Sequence, residues 1–267
     1  MKLIILILTF NEEVHIRRCL ESCLSVTKSI YVVDSYSNDK TTYIAKNMGA
    51  KVLYRSFDNH ANQLNWSLKK LKFESEWLLR IDADEIISEN LKSELLLSLP
   101  KVQENVEGIY IKRNIVFLGK TIRHGSCYQR KTLRIVRPNK AICEDRLMDE
   151  HLLVKGKKIK FDGCIYDNSL KPLTFWISKH NSYACKEAVE MIKLSKNNLD
   201  NKKNKKNKKP LVVILKNNIY SKLPFFLRPL IYFIYRYFIK LGFLDGKKGF
   251  IFHFMQSFWY RILVDAK

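Results

Sequence analysis

Residues 3–8 are an unbroken run of six aliphatic side chains, and so short an apolar run has few places to go. A secretory leader would carry a longer apolar stretch and a small-residue cleavage site. This run instead gives way to Asn11, Glu12 and Glu13. The pattern predicts a first strand of a parallel sheet, apolar on both sides because both faces are covered. The polar residues after it then start a helix carrying Val14, Cys19, Leu20, Cys23 and Leu24 at helical spacing.

The same alternation repeats down the chain. Residues 29–33 read as a second strand ending in Asp34, residues 37–48 as a helix, and residues 51–54 as a third strand. Residues 61–71 repeat apolar side chains with helical period, and residues 77–81 form a fourth strand ending in Asp82. This β-α order predicts an α/β fold: a mostly parallel, doubly wound sheet with helices on both faces. Further on, residues 108–117 and 132–136 read as strands of a mixed or antiparallel extension, joined by a loop around Gly125. Residues 173–195 form a long helix. The lysine- and asparagine-rich segment at 197–209 is a basic linker, and beyond Pro210 the composition turns aromatic. The expected division is a catalytic domain at 1–200 and, at 201–267, a basic linker with amphipathic aromatic helices.

The six cysteines lack C-x-x-C spacing and read as reduced, mostly buried thiols of a cytosolic protein, Cys19 and Cys23 included. The net charge is +22, from 48 Lys and Arg against 26 acids, which asks for a polyanionic neighbour. Nucleic acid, an anionic membrane and a phosphorylated substrate all qualify, so the position of the charge must choose.

In open α/β sheets, ligands bind beyond the carboxyl ends of the strands. Here those ends read Thr9-Phe10-Asn11-Glu12, then Asp34-Ser35-Tyr36-Ser37-Asn38-Asp39, then Asp82-Ala83-Asp84-Glu85. Carboxylates gathered on one rim repel one another unless a cation joins them. An Asp-x-Asp triplet supplies hard oxygen ligands suited to Mg²⁺ or Mn²⁺ bridging a diphosphate. Alone the triplet is weak evidence; as the third polar strand end in a series it is stronger.

Together the three clusters, in this order, resemble the motifs of glycosyltransferase family 2, the inverting enzymes of GT-A fold, over roughly residues 1–195. The resemblance implies a nucleotide-sugar donor, with UDP the usual nucleotide and ADP or GDP left open. It implies that Thr9, Asn11, Glu12 and Asp34 surround base and ribose, with Gln63 and Asn65 either lining the donor pocket or facing solvent. Asp82 would meet ribose or metal, and Asp84 would be the principal metal ligand. Ser37 and Asp39 are expected to shape their loop. Tyr36 departs from the family, which usually has Gly at that place.

Inverting transfer also needs a carboxylate to take the acceptor hydroxyl's proton. Asp149 and Glu150 together resemble the acid before a short apolar strand in enzymes of lipopolysaccharide core assembly, with Glu150 favoured. Glu144 and Asp145 are the reserve, and pairing of some of these acids with Arg146 or His151 is the plain alternative. Arg130, Arg134 and Arg137 each read as surface residues before diphosphate ligands. For His180, early in the long helix, a local packing role is the default.

In the tail, Arg228, Arg236 and Lys240 share one helical face, away from Ile231, Phe233, Ile234 and Phe238. His253, Gln256, Ser257 and Tyr260 make a second polar stripe beside Phe250, Ile251, Phe254, Phe258 and Ile262. Such helices lie in a membrane interface or pack their aromatics on the catalytic domain. The lysine run would add attraction to anionic lipid. Residues 241–249 also resemble the tail of the lipopolysaccharide-core group, which implies a lipid-anchored glycan acceptor and a peripheral position on the inner face of the plasma membrane. Two other classes compete. A nucleic-acid binder fits the charge but not the acidic rim, so no nucleic-acid partner is expected. A nucleotidyltransferase would want a Gly-rich basic loop after the first strand, where this chain has an acidic one.

Overall fold

The computed structural model describes residues 2–71, 74–145, 150–200, 224 and 226–267, with backbone alone at 190 and 193–200. The chain forms two compact units: residues 1–122 with 127–171, and residues 123–126 with 172–267. They divide at Lys171, whereas residue usage changes near residue 200.

In the first unit, β1 (Leu3–Thr9) lies between β2 (Ile30–Asp34) and β4 (Trp77–Asp82), parallel to both, and β3 (Lys51–Tyr54) extends the parallel set beyond β2. Along β1 the side chains alternate between two cores. Leu3, Ile5 and Ile7 pack with Ile16, Cys19 and Leu20 of α1 (Glu13–Leu24), while Ile4 and Leu6 pack with Leu64 and Leu68 of α3 (His60–Leu71). A strand apolar at every position is therefore what a sheet covered on both faces requires. Between α1 and α3 in sequence lies α2 (Thr41–Asn47), which buries Thr41 and Ala45.

Past β4 the sheet becomes mixed. β8 (Arg130–Val136) pairs antiparallel with β4 and with β6 (Val106–Phe117); β11 (Lys157–Asn168) runs parallel to β6; β5 (Glu85–Ile87) closes the edge against β11. The short β7 (Lys120–Thr121) hairpins back onto β6. The mostly parallel sheet with helices on both faces is thus as read from the sequence; β5, β11 and α4 (Glu89–Leu97) are additions that it did not announce. A separate ladder of β9 (Ile142–Cys143) and β10 (Leu152–Leu153) brackets the acidic stretch that holds Glu144 and Glu150. All six cysteines are free thiols, and Cys19 and Cys23 are core residues.

The second unit contains the long α5 (Leu173–Asp200), then α6 (Leu227–Ile234), α7 (Gly246–His253) and α8 (Tyr260–Ala266). Wider, π-helical turns at Tyr235–Ile239 and Phe254–Trp259 extend α6 and join α7 to α8. These turns meet where the Arg236 guanidinium donates to the Ser257 hydroxyl at 2.9 Å. The buried interior of this unit is unusually polar. Arg228 pairs with Asp265, Arg236 donates to the Gly125 carbonyl at 2.9 Å, and His253 is fully buried. Asp245 accepts from the Arg123 and His124 amides, the latter at 2.9 Å. At Gly125 (φ +68°) a Cβ would fall 2.1 Å from the His253 ring, so only glycine fits. Among the described residues, no helix is long and apolar enough to cross a membrane.

Candidate active site at the strand-end rim

Strand register brings the three polar clusters together: Thr9 is opposite Asp34, and Leu8 is opposite Asp82. The Asp34 carboxylate is fully buried, yet it accepts from the Thr9 hydroxyl at 3.0 Å, the Ser37 amide at 2.8 Å and the Ser37 hydroxyl at 2.5 Å. Asn11 (φ 54°) crosses to the same loop: its amide donates to the Ser37 hydroxyl at 2.8 Å, and its side-chain oxygen accepts from the Asn38 amide at 2.9 Å. Asp39 accepts from the Thr41 and Glu13 amides, so Ser37 and Asp39 do shape the loop. Glu12 is held by His15 at 2.5 Å and Lys171 at 2.8 Å. Burial pushes the Glu12 carboxyl up, and these two partners outweigh it, leaving it below the ordinary value. Gln63 is buried and donates to the Ser35 hydroxyl at 2.9 Å, so α3 contributes to this rim.

Tyr36, where the family usually has glycine, adopts φ 62°, the left-handed conformation glycine favours. Its ring stacks on Tyr54 at 5.7 Å between centroids, a contact glycine could not make.

At the third cluster, the chain turns at Ala83 and Asp84 from β4 into β5. Asp82 is met by Arg80 at 3.1 Å and Arg134 at 3.3 Å, and its amide donates to Glu85 at 2.8 Å. Burial alone would raise the Asp82 carboxyl; Arg80, Arg134 and Arg113 overcome it and hold it far below the usual carboxylate range. Glu85 is fully buried, paired with Arg134 at 2.8 Å and Arg113 at 3.3 Å. Its burial prevails over the arginines and, with Asp82 adding to it, pushes the carboxyl up to about 7.

These pairs form a continuous alternating chain: Asp167, Arg113, Glu85, Arg134, Asp82, Arg80 and, at 3.8 Å, Glu150. It runs across five strands and ends on a carboxylate singled out as the proton acceptor. Among the described residues, no three His, Cys, Asp or Glu side chains cluster as a ready metal cage. A Mg²⁺ or Mn²⁺ ion that keeps water and takes phosphate oxygens needs only one or two carboxylates. Asp84 is half-buried at the turn and lies within the electrostatic reach of Arg18 and Arg113, while both oxygens of Asp82 face arginine.

A family model described as glycosyl transferase family 2 matches residues 4–144, which covers all three clusters. The chain belongs to glycosyl transferase family 2. The sheet is accordingly GT-A-like, and the protein is a glycosyltransferase. Curated relatives include an uncharacterized glycosyltransferase of Rickettsia typhi, 26% identical over 70% of this chain and 67% of its own length. Another, of Rickettsia bellii, is 37% identical over 33% of this chain and 30% of its own length. Among solved structures, glucosyl-3-phosphoglycerate synthase of Mycobacterium tuberculosis with Mn²⁺, UDP and glucosyl-3-phosphoglycerate has a TM-score of 0.42 and 14% identity. That match covers 66% of this chain and 74% of the synthase. So loose an overlap carries no assignment of donor, metal or acceptor.

Of the other residues of this family 2 chain, Arg130, His180 and Glu144 behave as one of the readings of the sequence had them, and others do not. Arg134 is buried within the charge chain rather than at the surface. Arg137 lies 4.5 Å over the Trp77 ring and donates to the Val106 carbonyl, a packing role, while Arg130 is exposed. Asn65 is partly exposed, and its amide group pairs with both backbone groups of Cys143, at 2.8 and 2.9 Å, and so anchors β9 to α3. Glu144 accepts from the His151 amide and ring, which makes it a clasp of its own loop. Asp145 is exposed, and Asp149 lies outside the described residues. His180 stacks on Trp176 and contacts Tyr183 and Tyr260, a packing role; burial lowers its pKa. Sequence reasoning missed Arg80, Arg113 and Asp167, and it gave Glu85 a place in the third cluster but no role. The one available signal was Arg80, a charge inside an otherwise apolar strand.

Proposed function

We propose that the protein is an inverting glycosyltransferase that moves a sugar from a nucleotide-sugar donor, a UDP-sugar in the leading case, to a lipid-linked glycan. Lipopolysaccharide core or another cell-envelope polysaccharide is the acceptor class. In this reading catalysis belongs to residues 1–200, and residues 201–267 attach the enzyme peripherally to the inner, cytoplasmic face of the plasma membrane. The observation that carries the reading is the rim itself: three polar strand ends in register, with the charge chain running from them to Glu150.

Thr9, Asn11, Glu12, Asp34 and Gln63 would form the wall for base and ribose, with Asp82 beside the ribose. Asp84, with Asp82 as second candidate, would hold Mg²⁺ or Mn²⁺, which supplies positive charge against the departing nucleoside diphosphate. Glu150, with Asp149 beside it in sequence, would accept the acceptor hydroxyl's proton. As it does so, that oxygen bonds to the anomeric carbon and the bond from that carbon to the diphosphate breaks. Arg80, 3.8 Å from Glu150 and 3.1 Å from Asp82, orients both.

A thermal-shift panel of UDP-, ADP- and GDP-sugars with Mn²⁺ tests the donor, and Glu150→Gln tests the base. The expected result is stabilisation by one nucleotide class. The Glu150→Gln variant should keep that stabilisation but lose turnover by about a hundredfold or more. If no nucleotide sugar stabilises the protein, the reading fails; if turnover is unchanged, Glu150 is not the base.

A further inference from the structure

The stretch from residue 226 to 257 of the second unit buries much of its polar stripe and turns many apolar side chains outward, beside a small apolar core of Ala184, Tyr260 and Val264. Arg228, Arg236, Asp245, His253 and Ser257 are all buried, whereas large apolar side chains between residues 226 and 254 point outward. Ile239 is 66% exposed, Phe238 55% and Leu244 54%. Water does not favour this arrangement, because the polar stripe that would normally face solvent is used to make the interior. Most of the inward groups are matched: Arg236 spans the Gly125 carbonyl and Ser257, Arg228 pairs with Asp265, and Asp245 takes two backbone amides and His124, with the His253 ring 3.9 Å from Asp245. The orientation is therefore held by specific hydrogen bonds. An apolar face kept outward in this way is an interaction surface.

Its charge identifies the occupant. From residue 226 to 254 the only acid is Asp245, which is buried, and the exposed charges are Lys240, Lys247 and Lys248. Aromatic and aliphatic side chains bordered by lysines, with no exposed acid, match the boundary of an anionic bilayer, where rings sit among headgroups and lysines reach phosphate. A second copy of the chain would present the same lysines to one another. We propose that this face, centred on Phe238, Ile239 and Leu244, seats shallowly in an anionic lipid surface. The proposal extends the reading of a lipid-linked acceptor by naming the surface that holds the enzyme beside it; the binding itself needs neither donor nor acceptor.

The test is co-sedimentation of the full chain with vesicles of phosphatidylcholine alone and of equal parts phosphatidylcholine and phosphatidylglycerol. Nucleotide-sugar stabilisation is measured on every variant as proof of an intact catalytic unit. Wild type should bind the anionic vesicles and release from them in high salt. Replacing Lys240, Lys247 and Lys248 together by Gln should weaken binding about a hundredfold, taking about fivefold per lysine. The double variant Ile239→Asp, Leu244→Asp should weaken it at least tenfold while remaining monomeric. Failure of wild type to bind overturns the proposal, as does unchanged binding by both variants, which would assign the lipid contact to residues 201–225. A wild-type dimer that the double variant dissociates also overturns it, by giving the face to a second copy. Vesicle binding without any donor stabilisation would sink the functional reading and leave this surface standing.

Discussion

The strand-end rim and the C-terminal helices both bury arginines, and they use them in opposite ways. At the rim, Arg80, Arg113 and Arg134 alternate with carboxylates, in a chain that ends at Asp167 and Glu150 and passes through the partly exposed Asp82. In the tail, Arg228 and Arg236 are spent on internal partners, and what is left outside is apolar. A buried guanidinium by itself therefore says little about function. What lies beside it says more: partly buried carboxylates in one region, exposed aromatic and aliphatic side chains in the other.

The largest effect is expected at Arg134. Arg134→Met would leave Glu85, fully buried, with Arg113 as its one remaining ion-pair partner and deprive Asp82 of one of its two cations. Removing one partner of a buried ion pair costs about 3–5 kcal/mol, to be read from urea unfolding. A cost below about 1 kcal/mol would mean that the chain of charges is solvated and does not organise the rim.

The tail should respond to acid through His253. Burial, aided by Arg236 and opposed by Asp245, lowers its pKa from 6.5 to about 4. The folded state then binds this proton more weakly than the unfolded state. Stability from this group is complete above about pH 6.5 and is lost as pH falls toward 4, by about 3 kcal/mol. His253→Gln should flatten that part of the pH–stability curve relative to wild type. An identical acid dependence in both proteins would remove His253 from the interior network.

A smaller effect is expected at Tyr36, which combines a left-handed backbone with a stack on Tyr54. Tyr36→Ala keeps the unfavourable backbone and loses the ring, whereas Tyr36→Gly loses the ring but relieves the backbone. Glycine should therefore be the more stable variant by about 1 kcal/mol in thermal or urea melts. Equal stabilities would show that the turn relaxes once the ring is gone.

The parallel half of the sheet was legible in the sequence because each strand announces itself locally: an apolar run, then a polar cluster, then a helical period. The series Thr9, Asp34, Asp82 followed from that order alone, and register confirms that these residues share a rim. β11 was missed although Ile159, Phe161 and Ile165 alternate along it. Gly163 interrupts the pattern and reads as a turn, yet it sits there because the Leu91 backbone of α4 approaches to within 2.4 Å of where its Cβ would be. The arginines of the charge chain were invisible for a different reason. Arg113 on β6, Arg134 on β8 and Glu85 on β5 meet only through strand pairing that local pattern cannot supply. In the tail, both faces of the helices were legible, but not which of them turns outward. That depends on partners such as Gly125, more than a hundred residues away in sequence.

The central claim is that the rim takes a metal-bound nucleoside diphosphate through Asp84. Isothermal titration of UDP, with Mn²⁺ and with a chelator, into wild type, Asp82→Ala and Asp84→Ala tests it most directly. Wild type should bind in an Mn²⁺-dependent way, Asp82→Ala more weakly but still with Mn²⁺ dependence, and Asp84→Ala should give no Mn²⁺-dependent heat. Equal Mn²⁺-dependent affinity in Asp84→Ala and wild type would contradict it.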